Sequence, residues 1–173
     1  MLIAIDGGST KSGYVVMNSM YVIHKKGKDF NEKVIDVIMN NDWPNVKVVI
    51  EKPQPFKMVP NVLLDTCTWN GRFIQAAASR GISAYFIPRQ KVRKYFVPVG
   101  RSNDALVREA IIKRFGYPCT RKEQDGNFFY NDKDVRMVAD VWQAYALGVL
   151  FTDWDNGTAL IDPAIMNSIE NVV

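Results

Sequence analysis

The sequence predicts an α/β layered domain: a mixed five-stranded sheet, three strands antiparallel and two parallel, with helices on both faces. Three observations carry that expectation. Short apolar runs rich in β-branched residues open the chain with only a few residues between them, the spacing of antiparallel neighbours. Later apolar runs alternate with helix-length segments of 3.6-residue periodicity, the pattern of a layered α/β domain. A chain of 173 residues, 47% hydrophobic and 23% charged, is long enough to bury one core without disulfides or a structural metal.

Taken in order, residues 1–5 form a buried strand that ends at Asp6 and is stopped by Gly7-Gly8-Ser9-Thr10. Residues 13–17 and 20–24 read as the second and third strands. Phe30-Asn31 opens a helix with Val34, Ile35, Val37, Ile38 and Met39 on its apolar face, ended by Asn40, Asn41, Asp42 and Pro44. Residues 46–50 are a β-branched strand that delivers Glu51 at its C-terminal end. A proline-rich loop follows over 52–60. The second helix is expected from Val62 to Arg80, stopped by Gly81, with Leu63, Cys67, Gly71, Ile74 and Ala78 on one stripe. Residues 84–87 form the fifth strand and lead into a basic segment. Helices are expected over 105–115, stopped by Gly116, and over 137–151. Asp162-Pro163 marks the N-cap and first position of a short terminal helix. No linker or repeat interrupts the chain, so it divides into a domain over 1–151 and an extension over 152–173 without an assigned role.

Several function classes drop out. No apolar run approaches the roughly 20 residues of a membrane span, and the N-terminus lacks the pattern of a signal peptide, so a cytoplasmic protein is expected. Cys67 and Cys119 fit neither a disulfide framework nor a zinc pattern and read as reduced, mostly packed thiols. His24, the sole histidine, sits among Lys25, Lys26 and Lys28, which argues against Ser-His and Cys-His hydrolases.

The net charge of +4 is concentrated. Between Arg89 and Lys122 lie ten basic residues, among them Lys91, Arg93, Lys94, Arg101 and Arg108, against two acids, Asp104 and Glu109. Such a segment fits a polyanionic partner, and it equally fits a solvated helix face.

Three acids stand apart from that pattern. Asp6 and Glu51 end two strands that could be neighbours, and Asp140 is flanked by Met137, Val138, Ala139, Val141 and Trp142. A carboxylate among apolar residues is expensive to bury without a cation. Converging carboxylates without His or Cys select hard ions, Mg²⁺ with Mn²⁺ as a substitute. A pair of such ions can activate water and stabilise a leaving oxygen in phosphodiester hydrolysis. Each acid also has a plain structural explanation: Asp6 as the cap of its glycine turn, Glu51 as partner of Lys52, Asp140 on a solvated helix side.

The run Asp6-Gly7-Gly8-Ser9-Thr10-Lys11-Ser12-Gly13-Tyr14 resembles the opening motif of RuvC-like Holliday junction resolvases of the RNase H-like superfamily. Val48-Val49-Ile50-Glu51 is similar to their second motif, residues 69–78 to the helix that follows, residues 95–116 to their basic segment, and residues 140–149 to their last helix. The resemblance spans about residues 1 to 150. It implies an RNase H-like fold and a metal-dependent endonuclease acting on branched, four-way-junction DNA as a homodimer. It also implies metal ligands at Asp6, Glu51 and Asp140, an aromatic wedge at Phe56 in the loop after Glu51, and DNA contacts from the basic segment. Phe56 packing on Pro53 and Pro55 is the alternative.

Two positions depart from the family. Its last helix usually carries two acids three residues apart; here Gln143 stands at the second position if Asp140 is the first, with Asp132 or Asp134 upstream as substitutes. Asp104 stands where a lysine is common. These departures leave open a catalytically inactive branched-DNA binder. An RNA–DNA hybrid nuclease would share the metal site. The D-G-G-S-T run also resembles the phosphate turn of actin-like kinases, but no second glycine-rich motif follows. Short length and divergent motifs point to a phage enzyme working in a bacterial host cytoplasm.

Overall fold

The computed structural model describes residues 1–54, 61–115, 137–158 and 161–173. Phe56, Cys119, Asp132 and Asp134 lie outside these residues. Three antiparallel strands come first: β1 (Leu2–Asp6), β2 (Lys11–Met17) and β3 (Ile23–Phe30). Helix α1 (Asn31–Met39) crosses to β4 (Lys47–Lys52), and α2 (Asn61–Ser79) crosses to β5 (Ser83–Pro88). Both β4 and β5 run parallel to β1. Then come α3 (Arg89–Phe96), α4 (Asp104–Arg114), α5 (Ala139–Asp155), α6 (Pro163–Met166) and the short strand β6 (Glu170–Asn171).

The sheet order is β3-β2-β1-β4-β5-β6. The expected mixed sheet is present, with a sixth strand added: Glu170 and Asn171 pair antiparallel with Phe86 and Tyr85. This strand is too short and too polar to carry a period-2 signal. Alternation along the strands divides the core. Ile3, Ile5, Val48 and Ile50 face α1 and α2, whereas Leu2, Ala4 and Val49 face α3, α4 and α5. Helices thus cover both faces, the usual solution for parallel strands buried on two sides.

Four local expectations need correction. The third strand starts at Ile23, not Met20, and runs through Lys25, Lys26 and Lys28 to Phe30. It is an edge strand, where lysines are at home because one side faces water. The basic segment begins with a helix, α3, which buries Val92 and packs Tyr95 and Phe96 on the core; at eight residues it is too short for its periodicity to stand out from the run of basic side chains. The buried stripe of α2 is Thr66, Asn70, Phe73 and Ala77. The stripe of Cys67 and Gly71 is exposed instead, so Cys67 is not packed and none of the described residues approaches Gly71 closely. Two polar residues on the buried face shifted the apolar phase. Finally, α5 runs on to Asp155, past the expected stop at Phe151.

That extra turn carries a buried charge. Asp153 has no solvent exposure and accepts hydrogen bonds from Tyr21 Oη at 2.7 Å, from Tyr95 Oη and from both terminal nitrogens of Arg114. One carboxylate thereby ties α5 to α3, α4 and the turn before β3. Burial alone would raise its pKa, but these donors hold it below the ordinary carboxylate value. Burial and the bond to Asp153 push the Tyr95 phenol up to about 12.

Candidate functional site

Parallel strands deliver their C-terminal residues to one edge of the sheet, where open α/β folds place their ligands. In register, Ile5 pairs with Ile50, which sets Asp6 beside Glu51. Asp6 also pairs with Gly13, and Gly13 with Lys28. Directly opposed residues point to the same face, so Lys28, Gly13, Asp6 and Glu51 form one row under α5. Gly13 leaves the gap in that row. A Cβ there would come within 2.5 Å of the backbone carbon and oxygen of Asp140, so α5 begins directly above it. The sheet row and the helix start bring together the three acids singled out by the sequence.

Gly13→Ala should therefore force α5 away from the sheet. Overpacking costs about 1–3 kcal/mol, and each kcal/mol is worth roughly 2–4 °C in a chain of this size. A thermal melt should show the drop, and any activity of the site should fall with it. An unchanged Tm would mean that the close approach of Gly13 and Asp140 is absent in solution.

The acids differ in environment. Glu51 is buried, and the Asp6 side chain is 12% exposed. Burial and then the Glu51 charge push the Asp6 carboxyl well above the carboxylate range, with Asp140 adding to the push. Burial raises Glu51 as well, opposed by the guanidinium of Arg89. An acid whose folded pKa is raised costs stability above that pKa, and the cost disappears as pH falls below the unfolded value. At neutral pH the pair therefore favours any added cation.

Arg89 supplies part of that charge. It begins α3 immediately after β5, with Nη1 3.0 Å from Glu51 Oε1 and 3.9 Å from Asp6 Oδ1. Its Nη2 lies 2.9 Å from Asp104 Oδ2, and Arg93 binds the other oxygen of Asp104. Asp104, the departure noted in the sequence, thus ties two arginines of the basic segment to the site. Those guanidiniums hold its pKa low against the effect of burial. Asp140 sits in the first turn of α5 with a third of its side chain exposed, paired with Lys28 Nζ at 2.5 Å.

Residues that pattern reading overlooked shape the turn after Asp6. Buried Ser12 accepts from the Gly8 amide and donates to Asn31 Oδ1 at 2.6 Å, while Asn31 Nδ2 donates to the Gly8 carbonyl. The Asn31 amide also bonds Thr10. Asn70, 2% exposed, donates from Nδ2 to the Glu51 carbonyl, and its Oδ1 has no hydrogen-bond partner among the described residues. That oxygen lies where a Gly7 side chain would be, 2.3 Å from the Cβ position. A buried asparagine in the middle of α2 was the available signal.

Beside the acids opens a cleft of about 630 Å³, lined by Gly7–Lys11, Lys28, Arg89 and by Val62, Leu63 and Thr66 of α2. Three cations and a turn of backbone amides on one wall suit a phosphate-bearing ligand. The other basic residues are dispersed. Lys91 donates to the Ala164 carbonyl, Lys94 lies 3.8 Å from Asp162, and Arg101 is exposed. Gln143 and Arg108 line a separate small cavity with Asp104 and Trp142. Among the described residues no group of three or more His, Cys, Asp or Glu is arranged to hold a metal ion. No described helix is long and apolar enough to cross a membrane.

Solved structures share this fold. RuvC of Thermus thermophilus in complex with a Holliday junction substrate matches with a TM-score of 0.67 at 11% identity, over 99% of this chain and 98% of that one. A second Thermus thermophilus RuvC structure matches with a TM-score of 0.65 at 13% identity, over 99% of both chains. No family model and no curated protein matches the sequence. The likeness is therefore one of fold, and it takes in the mixed sheet, the flanking helices and the C-terminal residues beyond 151.

Proposed function

We propose that the protein is a divalent-metal-dependent endonuclease that cleaves branched DNA, with the four-way junction as its substrate and a homodimer as its working form. The observation that carries this reading is the row of Asp6 and Glu51 beneath Asp140, open on a cleft lined with lysine, arginine and backbone amides. The fold of a RuvC bound to a Holliday junction substrate supports the choice of substrate. Two like charges buried side by side, with one guanidinium near both among the described residues, fit a hard cation better than they fit each other.

Asp6 and Glu51 are the proposed metal ligands, with Asp140 beside them and Asp134 as a further acid. A bound Mg²⁺ or Mn²⁺ would supply Lewis acidity and a more acidic water. The chain's own residues do the rest. The Gly7–Thr10 turn, braced by Ser12 and Asn31, offers amides to the phosphate. Lys11 and Arg89 neutralise its charge, and burial keeps water from screening the carboxylates. Arg93, Lys94, Lys91, Arg101 and Arg108, dispersed around the site, are the proposed further DNA contacts, and Phe56 is the proposed wedge at the crossover. Two coordinated cuts require two such sites, hence the dimer.

The test compares a synthetic four-way junction, a linear duplex and an RNA–DNA hybrid, each with Mg²⁺ or Mn²⁺. Paired nicks confined to the junction are expected. Preferential cutting of the hybrid would move the substrate to RNA–DNA duplexes, and binding without cutting in both metals would leave only a DNA-binding protein. Lys94→Ala and Arg101→Ala should each weaken junction binding and lower the salt slope by about one. An unchanged slope would place the DNA elsewhere.

A further inference from the structure

The acidic row is flanked by a cation at each end, Arg89 beyond Glu51 and Lys28 beyond Gly13. Their positions differ in kind. Arg89 is shared among Glu51, Asp6 and Asp104, whereas the Lys28 ammonium is seated on Asp140 Oδ2. The register places Lys28 there. It opposes Gly13, the position over which the Asp140 backbone rests, so the lysine needs only to rise past a residue without a side chain. One turn further along α5, where a second carboxylate would strengthen a cation site beside Asp140, stands the neutral, buried Gln143. Gln143 faces Asp104 and Arg108 of α4, so Asp140 is the acid on the side nearest β3, and Lys28 already neutralises it.

On the reading of the site as a metal-dependent nuclease, we infer that Lys28 takes the place of a second metal ion. The centre binds one divalent ion, on Asp6 and Glu51, and the Lys28 ammonium held by Asp140 supplies the other positive charge. The cleft supports this assignment, because Lys28 lines it together with the Gly7–Lys11 turn and Arg89, where a phosphate would lie. The electrostatics agree: Asp140 adds negative charge at Asp6, which a cation on Asp140 offsets. The arrangement is economical in one respect. A lysine stays in place at any metal concentration, whereas a weakly held second ion does not.

The test is the stoichiometry of Mn²⁺ binding, measured by calorimetry on the full chain without DNA. The wild type should bind one Mn²⁺ per chain. Lys28→Gln should expose Asp140 and bind two, and Lys28→Gln with Asp140→Asn should return to one. Lys28→Arg, which keeps the charge, should remain at one. Lys28 is two-fifths exposed on an edge strand, so these variants should fold, and a thermal melt confirms it. Two ions in the wild type, or one in Lys28→Gln, would overturn the inference and leave the nuclease reading standing. No Mn²⁺ bound by the wild type would remove both.

Discussion

Asp6→Asn should abolish cleavage of the junction and leave binding intact or tighter. Asp6 is the most strongly perturbed acid of the site: buried, beside Glu51, and within reach of the charges of Arg89 and Asp140. Replacing it with an amide of the same shape removes a proposed metal ligand and one negative charge next to the incoming phosphate. Losing a single preorganised electrostatic group typically costs about 10²–10³-fold in rate, and loss of an ion with it should take the effect to the upper end or beyond. Gel-shift and single-turnover assays separate binding from cutting. A second readout needs no DNA. Mn²⁺ should raise the wild-type Tm at neutral pH, because ligand bound only by the folded state stabilises it. That shift should shrink in mild acid, as protons compete for the raised carboxyls, and should vanish in Asp6→Asn. Cleavage by Asp6→Asn at more than about a tenth of the wild-type rate would exclude Asp6 as a ligand.

The largest loss of stability should come from Asp153→Ala. This carboxylate has no exposure and receives four donors from three elements. Removing one partner of a buried pair costs about 3–5 kcal/mol. The lower end is expected, because Arg114 keeps a third of its side chain in solvent. At roughly 2–4 °C per kcal/mol, Tm should fall by about 6–12 °C. Asp153→Asn should cost less, since it keeps the volume and one acceptor. The sign of the pH dependence follows from the lowered pKa. The stabilisation is complete above the unfolded carboxyl's value, near 3.8, and is lost as pH falls through the lower folded value. Wild-type and Asp153→Ala melts should thus converge in strong acid. Curves that stay parallel down to pH 2 would show that the charge of Asp153 contributes nothing.

The parts of the fold that were legible in the sequence are those where one physical signal dominates. Asp6 and Glu51 end apolar β-branched runs, so their strands and their adjacency could be read from periodicity and from parallel pairing. The elements that escaped mix signals. The third strand is lined with lysines because it is an edge, and α3 is short and dominated by basic residues. Helix α2 buries Thr66 and Asn70, so the apolar stripe of its sequence lies on the more exposed side. Asn70 is buried for the site's sake: it bonds the Glu51 backbone and packs on Gly7. Asp140 has apolar neighbours in sequence, yet it lies in the first turn of its helix with a third of its side chain in solvent. Its partner Lys28 comes from a distant strand, and only the register through Gly13 reveals the pair.

The central claim is that this carboxylate row cuts branched DNA with the help of a divalent ion. The most direct measurement follows end-labelled strands of a four-way junction incubated with the wild-type protein in Mg²⁺, in Mn²⁺ and in EDTA. Nicks at symmetry-related positions in the two metals, none in EDTA, are the predicted result. An intact junction in all three, with the protein bound, would contradict it.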